Sequence, residues 1–244
     1  RITASTGYYD LEVLDAQAPT GGTDDYRFTE IPTNGEVLYV RMISHNLEKA
    51  TVSFYTDSDY TDVLESHTIA ITTTPANLRY FACYGDGTGG TVLQIDDFSF
   101  YDGETVVENI PGQQTATFED DFTTRKTGWS ANTTRCVIDN TTDEEMDLSL
   151  GDGGDYAELL SYPLDATASD TQWVLDFDYE LETLSAGTTG GGQIAVGLSG
   201  EGTNGFTTAQ DFLGLLQEHD NGSYEWFACM DADGTALNST GGDT

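Results

Sequence analysis

Carboxylates occupy the alternate positions from 176 to 182 in the stretch 172–182. The first three are Asp176, Asp178 and Glu180, and the residues on either side of each are apolar or aromatic. A period of two maintained over about ten residues indicates a long β-strand with one buried face and one wet face. The three carboxylates would therefore share the outer face, where a ligand could bind or an acid and a base could act.

A strand of this kind needs a second sheet to cover its aromatic face. The rest of the chain supplies many short strand-like runs separated by Gly, Asp and Pro turn residues, and it has no convincing helical period. The runs are 36–44, 51–56, 67–73, 78–84, 92–101, 145–150, 156–162, 193–199, 211–217 and 223–230. The sequence therefore predicts an all-β protein, folded as a β-sandwich.

The charge of the chain disfavours two classes of partner. Its 43 acids and 8 basic residues give a formal net charge of −35. Without a basic patch the chain cannot neutralise nucleic-acid phosphates, and anionic membrane surfaces are disfavoured for the same reason. No apolar run approaches the ~18 residues that a membrane span requires. Such dense acid repels itself, so we expect the fold to depend on salt or bound cations.

Two loops carry acids at a spacing that suits a hard cation. Carboxylate and carbonyl oxygens are the ligands that Ca²⁺ prefers, although neither loop has the pattern of an EF-hand. The candidate calcium ligands are Asp57, Asp59 and Asp62 in one loop, and Asp231 and Asp233 in the other. Asp-Gly and Asp-x-Asp are also ordinary turn sequences, so the loops could be structural only.

Other features favour an extracellular setting. Four glycosylation sequons begin at Asn132, Asn140, Asn221 and Asn238. The three cysteines, Cys83, Cys136 and Cys229, lack metal-ligand spacing, and we expect buried thiols rather than one disulfide and a free thiol. The chain begins at Arg1 without a signal peptide, so we interpret it as a mature or excised piece of a longer protein.

Four short motifs spread over most of the chain belong to one pattern. They are Phe118-x-x-x-Phe122 with Gly128-Trp129, the strand 173–181, the run Ala195–Ser199, and Ile95-Asp96-Asp97-Phe98 continuing to Tyr101. Together they resemble the concanavalin A-like lectin/glucanase superfamily, most closely its laminin-G-like domains. The resemblance implies a jelly-roll β-sandwich.

The order of these motifs is reversed relative to the superfamily, in which the Phe…Gly-Trp pattern opens the domain and the Ile-Asp-Asp strand closes it. We therefore interpret 1–107 as the C-terminal half of a jelly roll, 108–117 as a linker and 118–244 as the N-terminal half. The chain could be one period of a tandem repeat, a permuted domain, or two halves that complete neighbouring copies. Two small tandem sandwiches are a further alternative. We favour halves that complete one domain between neighbouring copies or repeats.

The resemblance also bears on catalysis. Retaining glucanases of this superfamily carry Glu-x-Asp-x-Glu on the corresponding strand, with a nucleophile and an acid/base about 5 Å apart. Here Asp176 stands in the first position, one methylene shorter than the expected nucleophile. We therefore predict no catalytic residue and no enzyme activity, and we interpret the acids as a solvated face.

These observations predict an extracellular structural or adhesive module, the repeating unit of a surface filament or repeat protein. Its main partner would be further copies of itself. The alternative is a carbohydrate-binding lectin domain, with or without a calcium requirement, whose partner would be a glycan. A glycoside hydrolase-like domain is the third possibility.

Overall fold

The fold is described by a computed structural model that covers residues 8–11, 14–15, 28–32, 35–46, 49–70, 78–87, 92–103, 116–133, 135–141, 144–149, 158–165, 168, 172–183, 192–200, 202, 212–220 and 223–231. These residues contain sixteen strands and no helix, so the predicted all-β class is confirmed. Within these ranges there is accordingly no helix with the length and apolar character to cross a membrane.

Sheet A has eight strands. Its order is β12 (Glu158–Pro163), β7 (Tyr80–Gly87), β14 (Gly192–Ser199), β15 (Phe212–Asp220), β16 (Ser223–Asp231), β1 (Tyr8–Leu11) and β3 (Phe28–Pro32). The short strand β2 (Leu14–Asp15) also pairs with β16. All of these pairings are antiparallel except that β1 and β2 run parallel to β16.

Sheet B also has eight strands, and all of its pairings are antiparallel. Its order is β10 (Cys136–Asp139), β11 (Glu145–Ser149), β8 (Val92–Asp102), β13 (Trp173–Thr183), β4 (Val37–Asn46), β5 (Lys49–Tyr55) and β6 (Val63–Ala70). The short strand β9 (Phe118–Asp120) pairs with β8. The two sheets together are consistent with the predicted β-sandwich.

Strands from the segments 1–107 and 118–244 alternate within both sheets of a single chain. In sheet B, β13 lies between β8 and β4, and in sheet A, β7 lies between β12 and β14. Buried residues from both segments belong to one hydrophobic cluster. The described residues therefore form one sandwich to which 1–107 and 118–244 both contribute, while completion between copies or repeats stays a prediction.

The inner face of β13 lies at the centre of this core. Its alternate residues are at most 2% exposed: Trp173, Leu175, Phe177, Tyr179 and Leu181. The Phe177 ring stacks on that of Phe98 at a centroid distance of 5.3 Å, and the ring of Tyr179 meets Phe54 edge-on at 5.7 Å. Burial of each such side chain stabilises the fold by roughly 1.5–3 kcal/mol. The predicted orientation of this strand is confirmed.

A buried carboxylate organises the segment 118–129. Asp120 is 2% exposed, and its two oxygens accept hydrogen bonds from the backbone N–H of Phe122 at 3.1 Å and from Nε1 of Trp129 at 2.7 Å. Phe122 adopts a left-handed φ of +52° and is itself buried in the core. The spacing of Phe118, Phe122 and Trp129 thus serves a local bend that Asp120 stabilises.

The predicted strand bounds hold most closely for the long, regularly patterned elements. The expected strand 92–101 is observed as β8 and 145–150 as β11, but β6 begins at Val63 rather than at His67. Strands β1, β2, β3, β9 and β10 were not predicted. Only residues 116 and 117 of the expected linker 108–117 lie within the described ranges.

Candidate functional site

The acids of β13 lie on the outer face of sheet B, between two neighbouring strands. The antiparallel register places Asp176 opposite Arg41 of β4, and Asp178 opposite Asp96 of β8. We call the outer surface around Asp96, Asp97, Asp176, Asp178 and Glu180 the acidic face. The sheet therefore brings carboxylates from β8 and β13 together, as the period-two pattern alone could not show.

Asp176 is not a solvated acid. It is 3% exposed, and the guanidinium of Arg41 donates two hydrogen bonds to its carboxylate, from Nε to Oδ1 and from Nη2 to Oδ2, each of 2.8 Å. Such fork-to-fork pairing fixes both groups in one geometry. The interpretation of the acids as a uniformly solvated face is therefore wrong at Asp176, because a cross-strand arginine closes over it.

The charge state of this pair follows from burial and mutual attraction. Burial lowers the pKa of Arg41, but the hydrogen bonds and charge of Asp176 outweigh it, so the pKa is raised and the guanidinium remains charged. Burial raises the pKa of Asp176, while the hydrogen bonds and charge of Arg41 act in the opposite direction. Each group thus provides the counter-charge that offsets the cost of burying the other.

An aromatic residue covers the pair. The ring of Tyr60, in the loop between β5 and β6, lies over the guanidinium carbon of Arg41 at 4.0 Å, a cation–π contact. Tyr39 and Tyr55 meet the same ring edge-on, at centroid distances of 6.3 and 5.3 Å. Burial, and then the charges of Asp176 and Asp178, raise the pKa of the Tyr60 phenol, which stays protonated. Tyr60 therefore acts as a cover over the Arg41–Asp176 pair.

The loop that carries Tyr60 is stabilised by Asp57. Its Oδ1 accepts hydrogen bonds from the backbone N–H groups of Thr61 at 2.9 Å and Asp62 at 2.8 Å, and its Oδ2 accepts one from the Thr61 hydroxyl. These bonds lower the pKa of the exposed Asp57 carboxyl, the Thr61 hydroxyl contributing most. Tyr60 has a left-handed φ of +53°, which these bonds help to maintain.

A β-bulge places further carboxylates beside Asp178. The register of β8 against β13 shifts between Asp176 and Asp178, and Asp97 takes a left-handed φ of +50° there. The backbone N–H of Asp97 donates a hydrogen bond to Oδ1 of Asp96 at 2.8 Å. Bulges of this kind redirect side chains at functional and structural sites alike.

The carboxyls at the bulge bind protons more tightly than ordinary acids. Burial, followed by the charges of Asp97, Asp96 and Asp176, raises the pKa of Asp178 to about 7. Burial is also the largest cause that raises the pKa of Asp96 to about 6, with Asp97 as the closest like charge. Near neutral pH, the acidic face therefore combines protonated and ionised carboxyls, which can donate to or accept from a polar ligand.

The position that the resemblance assigns to the glucanase nucleophile holds an ion-paired carboxylate rather than a free one. A retaining mechanism requires one ionised carboxylate that can reach the sugar, and a second carboxyl about 5 Å away. Asp176, in the position that the resemblance assigns to the nucleophile, is instead ion-paired with Arg41 beneath Tyr60. Asp178 and Glu180 are more accessible, but neither stands in that position.

The predicted calcium ligands fall into two groups. In the loop 57–62, Asp57 accepts hydrogen bonds from the backbone of Thr61 and Asp62 in the same loop. Oδ2 of Asp62 accepts a hydrogen bond from the Thr56 hydroxyl at 2.8 Å. Asp59 is exposed. Within the described part of the chain, no three His, Cys, Asp or Glu residues are arranged to hold a metal ion. Asp231 is the last residue of β16, and its side chain is not among the described ones. Asp233 lies outside the described residues. The calcium sites therefore stay a prediction.

Two of the four sequons can be placed. Asn140 is exposed in the turn after β10. Asn132 is exposed but bonded, because its Nδ2 donates to the Ile138 carbonyl at 3.1 Å and its Oδ1 accepts from the Ile138 N–H at 3.2 Å. Asn221 and Asn238 lie outside the described residues. Glycosylation at all four stays a prediction.

The expectation of buried thiols is confirmed where it can be assessed. Cys83 of β7 and Cys136 of β10 are both fully buried. Burial raises the pKa of the Cys83 thiol well above its usual value, so this thiol is unreactive as a nucleophile. The side chain of Cys229 lies outside the description.

Sequence reasoning missed Arg41 and Tyr60 at this site. Arg41 is one of only 8 basic residues and stands at an outer position of the otherwise apolar stretch 37–43. An isolated cation in a buried strand of a very acidic chain signals a buried counter-charge. Tyr60 carried no comparable signal, because it lies in a loop whose other residues are turn formers.

Comparison of the chain with protein-family models, with curated proteins and with solved structures finds no match.

Proposed function

We propose that the chain is an extracellular structural or adhesive module, built as a concanavalin A-like jelly roll and working in repeated or polymerised form. The observation that carries this proposal is the closed Arg41–Asp176 pair beneath Tyr60. In this pair, Arg41 occupies the carboxylate on which the catalytic alternative depends. The outer face of sheet B is therefore ion-paired at this point. The motif resemblance and the interleaved all-β sandwich support the jelly roll.

The direct test is the native mass of the purified chain. Light scattering over a range of protein concentrations should give multimers, and negative-stain microscopy should show elongated particles of regular repeat. A chain that stays monomeric at every concentration, without elongated particles, overturns the proposal.

Catalysis is tested separately with a panel of β-glucans. No turnover is expected. Hydrolysis that is lost in both Asp176→Asn and Glu180→Gln, but retained in the exposed-loop variant Asp59→Asn, would instead favour the glycoside hydrolase.

A glycan-binding role is the second candidate, and the tyrosines of the acidic face favour it. Partly exposed Tyr39 lies opposite Asp178, and partly exposed Tyr101 of β8 lies near Asp176. Tyrosine rings beside carboxyl groups suit the apolar and hydroxyl faces of a sugar. Glycan-array binding that is lost in Tyr101→Ala and Asp178→Ala, yet retained in Asp59→Asn, would support a lectin. Binding that survives both changes would place any lectin activity elsewhere.

A further inference from the structure

The first three strands attach to the sandwich along a single edge. Leu11 of β1 pairs with Trp226, and Leu14 of β2 pairs with Cys229, so both strands follow β16 in the same parallel register. Strand β3 pairs with β1. Among the described strands, β16 is therefore the only one outside this unit that hydrogen-bonds to it. We call β1, β2 and β3 together the N-terminal strands.

Three other strands of the segment 1–107 are paired on both sides. Strand β4 pairs with β13 and β5, β8 pairs with β11, β13 and β9, and β7 pairs with β12 and β14. Exchange of the whole segment between copies would break all the pairings that join it to 118–244 in both sheets. Among the described contacts, exchange of the N-terminal strands alone breaks the ladder with β16 and the packing of β3 against β6, and it withdraws Ile31 from the core.

The exposed edge left behind would need a replacement. Strand β16 has nine residues, of which Trp226, Phe227, Ala228 and Met230 are apolar. An unpaired edge of this length and composition is a template for pairing with another chain. The same N-terminal strands from a second copy would restore every hydrogen bond and refill the site of Ile31, so exchange conserves the contacts that it breaks.

The connection to β4 can act as the hinge. Only residues 33–36 separate β3 in sheet A from β4 in sheet B, and Gly35 among them has a φ of +74°. Short connections of this kind favour exchange of an element over its return to the same chain. When each copy donates to the next in one direction, the contact does not close on itself and the product is a filament.

We propose that the N-terminal strands of one copy pair with β16 of the next copy and so join the copies into a polymer. This inference rests on the proposed function, and it identifies the donated element and its acceptor strand. The partner is a second copy of this chain, bound through a parallel backbone ladder.

A single substitution can report which chain supplies the ladder. Neighbouring strands lie about 4.8 Å apart, within the Cα separation that a disulfide spans. Leu14→Cys would therefore cross-link to the native Cys229, while Cys83 and Cys136 are buried. Under oxidation, most of the variant should migrate on a non-reducing gel at twice the chain mass or more. Leu14→Cys combined with Cys229→Ser is the matched control and should stay at the chain mass.

A mixing experiment excludes accidental cross-links. The double variant Leu14→Cys/Cys229→Ser, carrying a size tag, is refolded together with the unmodified chain, and a cross-linked band of tagged plus untagged chain is expected. A cross-link formed only within one chain overturns the exchange, as does the absence of any cross-link. If multimers persist beside an intrachain cross-link, only the exchange fails, whereas a purely monomeric chain removes the proposed function as well.

Discussion

At the scale of single residues, the Arg41–Asp176 pair distinguishes the structure from a simple acidic surface. The two residues lie 135 positions apart in sequence, and each supplies the counter-charge of the other in a buried site. Removal of one partner from such a pair leaves an uncompensated charge in a buried site. The pair is therefore more sensitive to a one-sided change than to a replacement of both partners.

The variant Asp176→Asn should lower the free energy of unfolding by about 3 kcal/mol, because Arg41 keeps its charge without a counter-ion. The double variant Arg41→Met/Asp176→Leu should return to within about 1 kcal/mol of the unmodified chain, since apolar groups of similar size replace the pair. Urea unfolding measures both, with Asp59→Asn as the exposed control. A double variant as unstable as Asp176→Asn would contradict this account of the pair.

The raised pKa of Asp178 gives a pH-dependent prediction. In the range from about pH 4, where the unfolded carboxyl titrates, to about pH 7, the folded chain holds the proton more tightly. The stability contributed by protonated Asp178 is therefore complete below that range and is lost as the pH rises through 7. Asp178→Asn should stabilise the fold at pH 8 by roughly 1 kcal/mol, after allowance for solvent screening of a half-buried group.

The same substitution should have little effect at pH 4, where Asp178 is protonated in the folded chain and already about half protonated in the unfolded chain. Melting temperatures between pH 4 and pH 8 test this, and Asp59→Asn removes one exposed carboxylate as the matched control. Destabilisation by Asp178→Asn at pH 8 would mean that the folded site prefers the charged form.

At the scale of elements, regular patterning decided what could be predicted. Strand β13 keeps its period of two over its whole length, so its bounds and its inner face followed from the sequence. Strands β9 and β10 have three and four residues, too few for a period to show. The bulge at Asp97 and the pairing of Asp176 with Arg41 depend on register between distant strands, which a pattern within one strand does not encode.

Substitution of two glycines with positive φ allows the stability cost of backbone strain to be measured apart from the cost of steric overlap. Gly128 has a φ of +131°, and an added Cβ would lie 2.7 Å from a ring carbon of Tyr162. Gly103 has a φ of +69° and no heavy atom within 4 Å of an added Cβ. Gly103→Ala should therefore cost about 1 kcal/mol from backbone strain alone, and Gly128→Ala clearly more, about 3 kcal/mol. If denaturant unfolding gave equal losses of unfolding free energy for the two variants, the Tyr162 ring would have moved aside without a cost in stability.

At the scale of the whole molecule, net charge opposes the compact state. A formal charge of −35 on 244 residues gives self-repulsion that salt screens over a Debye length of about 3 Å at 1 M and about 10 Å at 0.1 M. The melting temperature should therefore rise steadily with NaCl concentration. A chelator added at constant salt tests the calcium sites separately, and a fall in melting temperature is expected only if they are occupied. A melting temperature independent of salt would contradict the screening argument.

The central claim is that both sequence segments share one core in a single sandwich. Met42 of β4 and Phe177 of β13 are each at most 1% exposed, and they come from different segments. Met42→Ala and Phe177→Ala should each remove about 3–4 kcal/mol of stability. The decisive measurement is calorimetric unfolding of the unmodified chain and of both variants. The account predicts one transition that either substitution moves as a whole, whereas two transitions, each moved by only one of the substitutions, would contradict it.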